Sequence, residues 1–209
     1  MILIRMISFL MLISAQVNQD RKYGILASNA IAFLTAACQS VHHKLFQDEG
    51  ILKNICEQII IPNMMFTESD LIDFQENPVE YIRRDIEGSD AETRRRSAFL
   101  LVKGLRKYFD QAVTNILASY INYLLEQYRA NPAENWKHKN VCTFLVTALA
   151  VNDQTSSLGA ITTNHLVPIM EFFQNTILPD LESFSSVHPV LQAGIHFPSI
   201  SFPLESSKL

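Results

Sequence analysis

Glycine is scarce in this chain, with six in 209 residues. Neither GxGxxG nor GxxxxGK[ST] occurs, which excludes the backbone cradles that hold nucleotide phosphates. A basic excess is missing too. The net charge is -4 and the pI near 5.8, so nothing here favours nucleic acid, whose phosphates need a basic excess on one face. Charged residues make up 18%, below the usual figure of about a quarter. Such a low share implies apolar surface covered by protein beyond this sequence. The cysteines, Cys38, Cys56 and Cys142, are odd in number and widely spaced within apolar runs. That pattern fits buried thiols in a reducing compartment, not a disulfide framework.

Catalytic constellations are equally lacking. His42, His43, His138, His165, His188 and His196 are scattered, and none belongs to an HExxH pattern. Lys137-His138-Lys139 follows Trp136 near a helix start and reads as surface or interhelix packing. Ser156-Ser157 has no nucleophile-elbow context. No enzyme, cofactor or metal is expected. Residues 1–15 are mostly apolar, with Arg5 among them, and too short and interrupted to span a bilayer. Two readings stay open there. One is a signal peptide with its apolar run at Met6 to Ile13, which would make the chain secreted. The other is a buried helix whose partner lies upstream.

What the chain does have is helical periodicity. Val113, Ile116, Leu117, Tyr120, Ile121, Leu124, Leu125 and Tyr128 form one apolar stripe. Ala98 to Phe109, Val141 to Leu149, Leu166 to Leu181 and Leu26 to Ala37 repeat the spacing, and Leu52, Ile55 and Ile59 form a shorter stretch. Strand-like alternation is absent. The expected fold is all-α: stacked antiparallel helix pairs, a HEAT-repeat α-solenoid fragment. First helices start near Gly24, Asp90, Trp136 and His188, a spacing near that of HEAT and armadillo repeats once an insertion is removed. Its unpartnered ends should expose apolar surface. Ser89 with Glu92 has capping-box spacing. Asn131-Pro132 and Asn77-Pro78 look like helix starts.

The insertion covers about residues 62–88, and charge gathers there. Glu68, Asp70, Asp73, Glu76 and Glu80 come with no basic residue between them, followed by Arg83, Arg84 and then Arg94, Arg95 and Arg96. Cations in the first turns of a helix oppose its dipole. A carboxylate-bearing partner, or the neighbouring acidic stretch, would account for them.

Glu80-Tyr-Ile-Arg-Arg-Asp-Ile-Glu-Gly-Ser-Asp90 followed by Thr93-Arg-Arg-Arg96 resembles the insertion of the importin-α re-exporters of the karyopherin-β family. Ser28 to Ile31, Ile55 to Glu57, Ile61 to Asn63, Asn135 to Lys139 and Ile177 to Leu181 agree with it. The likeness runs from about Leu12 to Gly194. It implies a central HEAT-repeat segment over 1–194 and a divergent tail over 195–209, where Pro198 and Pro203 interrupt the helical pattern. It further implies binding of Ran-GTP and importin-α, no nucleic acid, no membrane insertion, and shuttling between cytoplasm and nucleus. The residues it points to are Glu80, Tyr81, Arg83, Arg84, Asp85, Glu87, Asp90, Arg94, Arg95 and Arg96. A HEAT scaffold that binds protein without transporting anything by itself is the alternative.

Overall fold

The computed structural model describes residues 5, 23–86, 93–151 and 164–194. The apolar segment 1–15, the Ser89–Glu92 box, Glu87, Asp90, Ser156, Ser157, His196 and the tail 195–209 lie outside these residues, as does the side chain of Asp85. Among the described residues every regular element is helical. We number them α1 (Tyr23–Gln39), α2 (49–64), α3 (Glu68–Glu76), α4 (78–86), α5 (Arg94–Ala130), α6 (Trp136–Ala150), α7 (169–182) and α8 (189–194). A π-helical turn widens α2 at Cys56–Ile60, α4 at Ile82–Ile86 and α7 at Phe173–Ile177.

Caps set the helix starts. Asp48 accepts from the Ile51 amide at the head of α2, and Asn77 from the Glu80 amide before Pro78 at the head of α4. Thr67 and Asp70 form a capping box on α3. α5 begins at Arg94, with Thr93 as its cap accepting from the Arg96 amide at 3.1 Å. This places the helix start later than the expected Ser89 cap. Thr93→Ala should lower stability by about 1 kcal/mol, seen as a lower urea midpoint. An unchanged midpoint would show that Thr93 does not hold this start. Asn131 also differs from expectation. It closes a turn with Glu134, whereas α6 begins after Asn135. The Asn135 side-chain Nδ2 instead donates to the Gln127 carbonyl at 2.7 Å and ties off the end of α5.

α5 is really two helices. Phe109 has φ -133 and ψ 34, so the chain bends there without a loop. Hydrogen bonds give the directions of the two limbs. Along α6, Asn140 and then Ala148 meet Arg95 and then Arg106, so the first limb runs parallel to α6. Asn135 and then Cys142 meet Gln127 and then Ile121, so the second limb runs antiparallel. The limbs are therefore antiparallel to each other. They are the second of the stacked pairs, between α1/α2 and α6/α7. α1 also runs with the first limb: Ser28 Oγ lies 2.7 Å from Ser97 Oγ, and a side chain at Gly104 would meet Cys38, Gln39 and Thr35 at 3.2 Å.

The main core collects Ile31, Leu34, Leu52, Ile59, Leu101, Leu105, Val113, Leu117, Val141 and Leu145 from these helices. All three cysteines are buried thiols. Burial pushes Cys38 up to about 11 and Cys56 and Cys142 up to about 12, so they stay protonated at neutral pH. On α1, Ile25 and Phe33 are exposed (73% and 62%). No helix of the described residues is long and apolar enough to cross a membrane.

Candidate functional site

The insertion is ordered helix, held to the repeats by its own charged residues. Its first brace is Asp70. The carboxylate accepts from the Thr67 amide (2.8 Å) and hydroxyl (2.7 Å), closing the α3 cap. The same oxygen pairs with Arg94. Arg94 also donates to the Asn63 carbonyl at 2.7 Å, which ties α2, α3 and α5 together. A cation at the helix start is tolerated because this carboxylate lies against it.

Arg95 is the second brace. Only 1% of it is exposed. It donates to the Tyr81 hydroxyl oxygen (3.2 Å) and to Asn140 Oδ1 (2.7 Å), linking α4 to α6. Its guanidinium lies 5.3 Å from the Phe66 ring centre and 4.2 Å from that of Phe144, in cation–π range of both. Arg84 pairs with Asp73 at 3.1 Å and sits over the Tyr81 ring. Lys137 pairs with Glu68 at 2.6 Å.

These braces enclose a second, smaller core. Phe66, Tyr81, Trp136, Val190 and Leu191 are buried in it, with Phe74 and Tyr128 packed alongside. Phe66 meets Trp136 edge-on at 5.2 Å, and the His188 ring stacks on Trp136 at 3.8 Å. Burial, then the nearby Lys137, holds the His188 pKa below the usual histidine value. Burial likewise lowers His138. Lys139 and Asp180 form a buried ion pair at 2.6 Å between α6 and α7. Burial lowers the Lys139 pKa more than the Asp180 carboxylate raises it.

The sequence-derived site therefore divides. Tyr81, Arg94 and Arg95 are buried and engaged within the chain. Their bonding capacity is directed to Asn63, Asp70, Asn140 and each other. Arg84 is turned mainly to Asp73. Glu80 and Arg83 are exposed, and Arg96 is half-buried beside the Phe99 ring. Outward on the same two helices lie Ile72 (53% exposed), Glu76 and Val79 (63%). Ile72 and Val79 show in the sequence only as apolar side chains set among acidic ones.

Periodicity separates the arginines. Arg95 is followed by Ala98, Phe99 and Val102 at i+3, i+4 and i+7, and Arg94 by Ala98 and Leu101 at i+4 and i+7. Both thus lie on the inward stripe. Arg96 leads to Leu100 and Lys103, of which Leu100 is exposed.

A family model described as Cse1 matches residues 3–198, slightly more than the expected 12–194. Exportin-2 of Xenopus laevis is 50% identical over 183 residues, covering 86% of this chain and 19% of that protein. Exportin-2 of Homo sapiens is 49% identical over the same coverage. The solved structure of the exportin Cse1 in its cargo-free, cytoplasmic state superposes with a TM-score of 0.82 at 36% identity, over 95% of this chain and 22% of that one. The chain thus spans about a fifth of the length of the relatives it matches. Its helix pairs are those of a HEAT-repeat solenoid, and the chain belongs to the Cse1 family.

Proposed function

We propose that this chain is a segment of a nuclear export receptor that returns importin-α to the cytoplasm with Ran-GTP, and so supports nuclear protein import. It acts as a binding scaffold and not as an enzyme, and it shuttles between nucleus and cytoplasm. Its likeness to two exportins over most of its length supports this reading. The observation that carries it is the braced insertion. Asp70 and Arg94 pair with each other, and Arg95 directs its hydrogen bonds to Tyr81 and Asn140. By doing so they fix α3 and α4 as a rigid ledge. The ledge presents Ile72, Glu76, Val79, Glu80 and Arg83 outward. A pre-organised ledge loses little side-chain and backbone freedom when a partner docks.

The test uses the full-length receptor that contains this segment. Glu76→Lys with Glu80→Lys, and separately Arg83→Glu, should weaken the ternary complex with Ran-GTP and importin-α by about 1 kcal/mol or more each. Helicity should not change. Pairwise titrations against each partner show which contact is lost. Wild-type affinity in both variants would mean that this ledge faces solvent and the reading is wrong. Reversing Arg94 or Arg95 is not a clean binding test, because both hold the ledge in place.

A further inference from the structure

α8 is one of the helices around the second core. It meets that core through Val190 and Leu191, and its start is held by His188. The imidazole does two things at once. Its face stacks on Trp136 at 3.8 Å with the planes 6° apart. Its Nδ1 accepts from the Val190 amide at 3.3 Å, capping α8. Pro189 follows at the first helical position, where its fixed φ suits a helix start. Only an imidazole with a free lone pair on Nδ1 can accept that bond. A protonated ring would turn a donor toward the amide and place a cation at the positive end of the helix.

The surroundings do not favour the cation. Lys137 of α6 is the nearest charge named by its effect on the ring. Glu68 of α3 is already engaged with Lys137. α4 and α5 offer Tyr81 and Tyr128, both uncharged at neutral pH. Arg84 and Arg95, which also touch Tyr81, are turned to Asp73 and Asn140.

We propose that His188 is a proton-operated latch: its neutral imidazole holds α8 onto the insertion's core, and protonation releases α8 and opens Trp136 to water. The sign follows from burial. The docked ring has a pKa below the usual histidine value of about 6.5, so the released state binds the proton first as pH falls. The docking constant therefore drops by up to about tenfold per pH unit between 6.5 and the docked ring's lower pKa.

Trp136 is the single tryptophan of the 209-residue chain and reports directly on its own exposure. Emission wavelength is the reading to use, since an imidazolium quenches intensity even when docked. Between about pH 7.5 and about pH 5.5, the emission maximum should move to the red. Amides 190–192 should lose hydrogen-exchange protection over the same range. His188→Asn keeps a side-chain acceptor for the cap without a titrating group, and should give a pH-independent spectrum. His138→Gln should leave the transition in place. The proposal is overturned by an unchanged emission maximum in the wild type, by the same transition in His188→Asn, or by its loss in His138→Gln. A loss of helicity across the whole chain in the same pH range also overturns it, because the latch frees α8 alone.

Discussion

Arg95→Ala should cost about 3–5 kcal/mol. The guanidinium is buried, and its removal leaves the Tyr81 hydroxyl and Asn140 Oδ1 without that donor, at about 1–3 kcal/mol for each unsatisfied buried group. Two cation–π contacts are lost as well, each worth about 0.5–2 kcal/mol, and the space left behind adds to the deficit. Arg95→Lys retains the charge but has no fork to reach α4 and α6 together, so it should recover only part. Loss should appear first as release of α3 and α4. Limited proteolysis should cut near residues 76–86 before urea unfolds the rest. If the variant has a wild-type urea midpoint and the same cleavage pattern, Arg95 does not brace the insertion.

Asp180→Ala should cost a similar amount, about 3–5 kcal/mol, because it strands the Lys139 ammonium in the interior. The side chains of Lys139 and Asp180 are 4% and 8% exposed, so water cannot take the carboxylate's place. Lys139→Met with Asp180→Leu removes both charges and should cost less than either single change. A double-mutant cycle in urea measures that difference. The pH dependence of Asp180→Ala has a defined direction. The folded Lys139 pKa already lies below the usual lysine value of about 10.5, and losing the carboxylate lowers it further. Between the folded value and 10.5 the unfolded chain binds more protons, so stability rises with pH. The deficit relative to wild type should therefore shrink as pH rises from the variant's folded Lys139 pKa to the wild-type one, and stay level above it. A deficit that stays constant with pH would mean that Lys139 reaches solvent in the variant.

Helices were legible in this sequence wherever one face was apolar. The stripe from Val113 to Tyr128 appears as the second limb of α5, with Val113, Leu117, Ile121, Leu124 and Leu125 buried. The starts near Trp136 and His188 appear as α6 and α8. Charged residues were harder to place, because charge says nothing about direction. Arg94, Arg95 and Arg96 look alike as a run, yet successive residues on a helix point about 100° apart. Two of them enter the protein and one does not. The destination of the buried pair depends on Asp70, Tyr81 and Asn140, which come from three other helices. No local pattern contains that information. Asn131 shows the same limit on a small scale. Its composition suits a cap, but the helix waits for Asn135, whose side-chain Nδ2 is needed at the Gln127 carbonyl.

The bend at Phe109 restricts how such a protein can change length over evolutionary time. With one non-helical residue joining two long limbs, there is no slack to absorb an added or deleted amino acid. A single-residue change near 109 would turn every later side chain of the second limb by about 100°. That would swing Val113, Leu117 and Ile121 out of the core together. Segments between pairs carry no such phase constraint, which is consistent with the whole of α3 and α4 lying between α2 and α5. Length variation among relatives should therefore collect between helix pairs and be absent within this one.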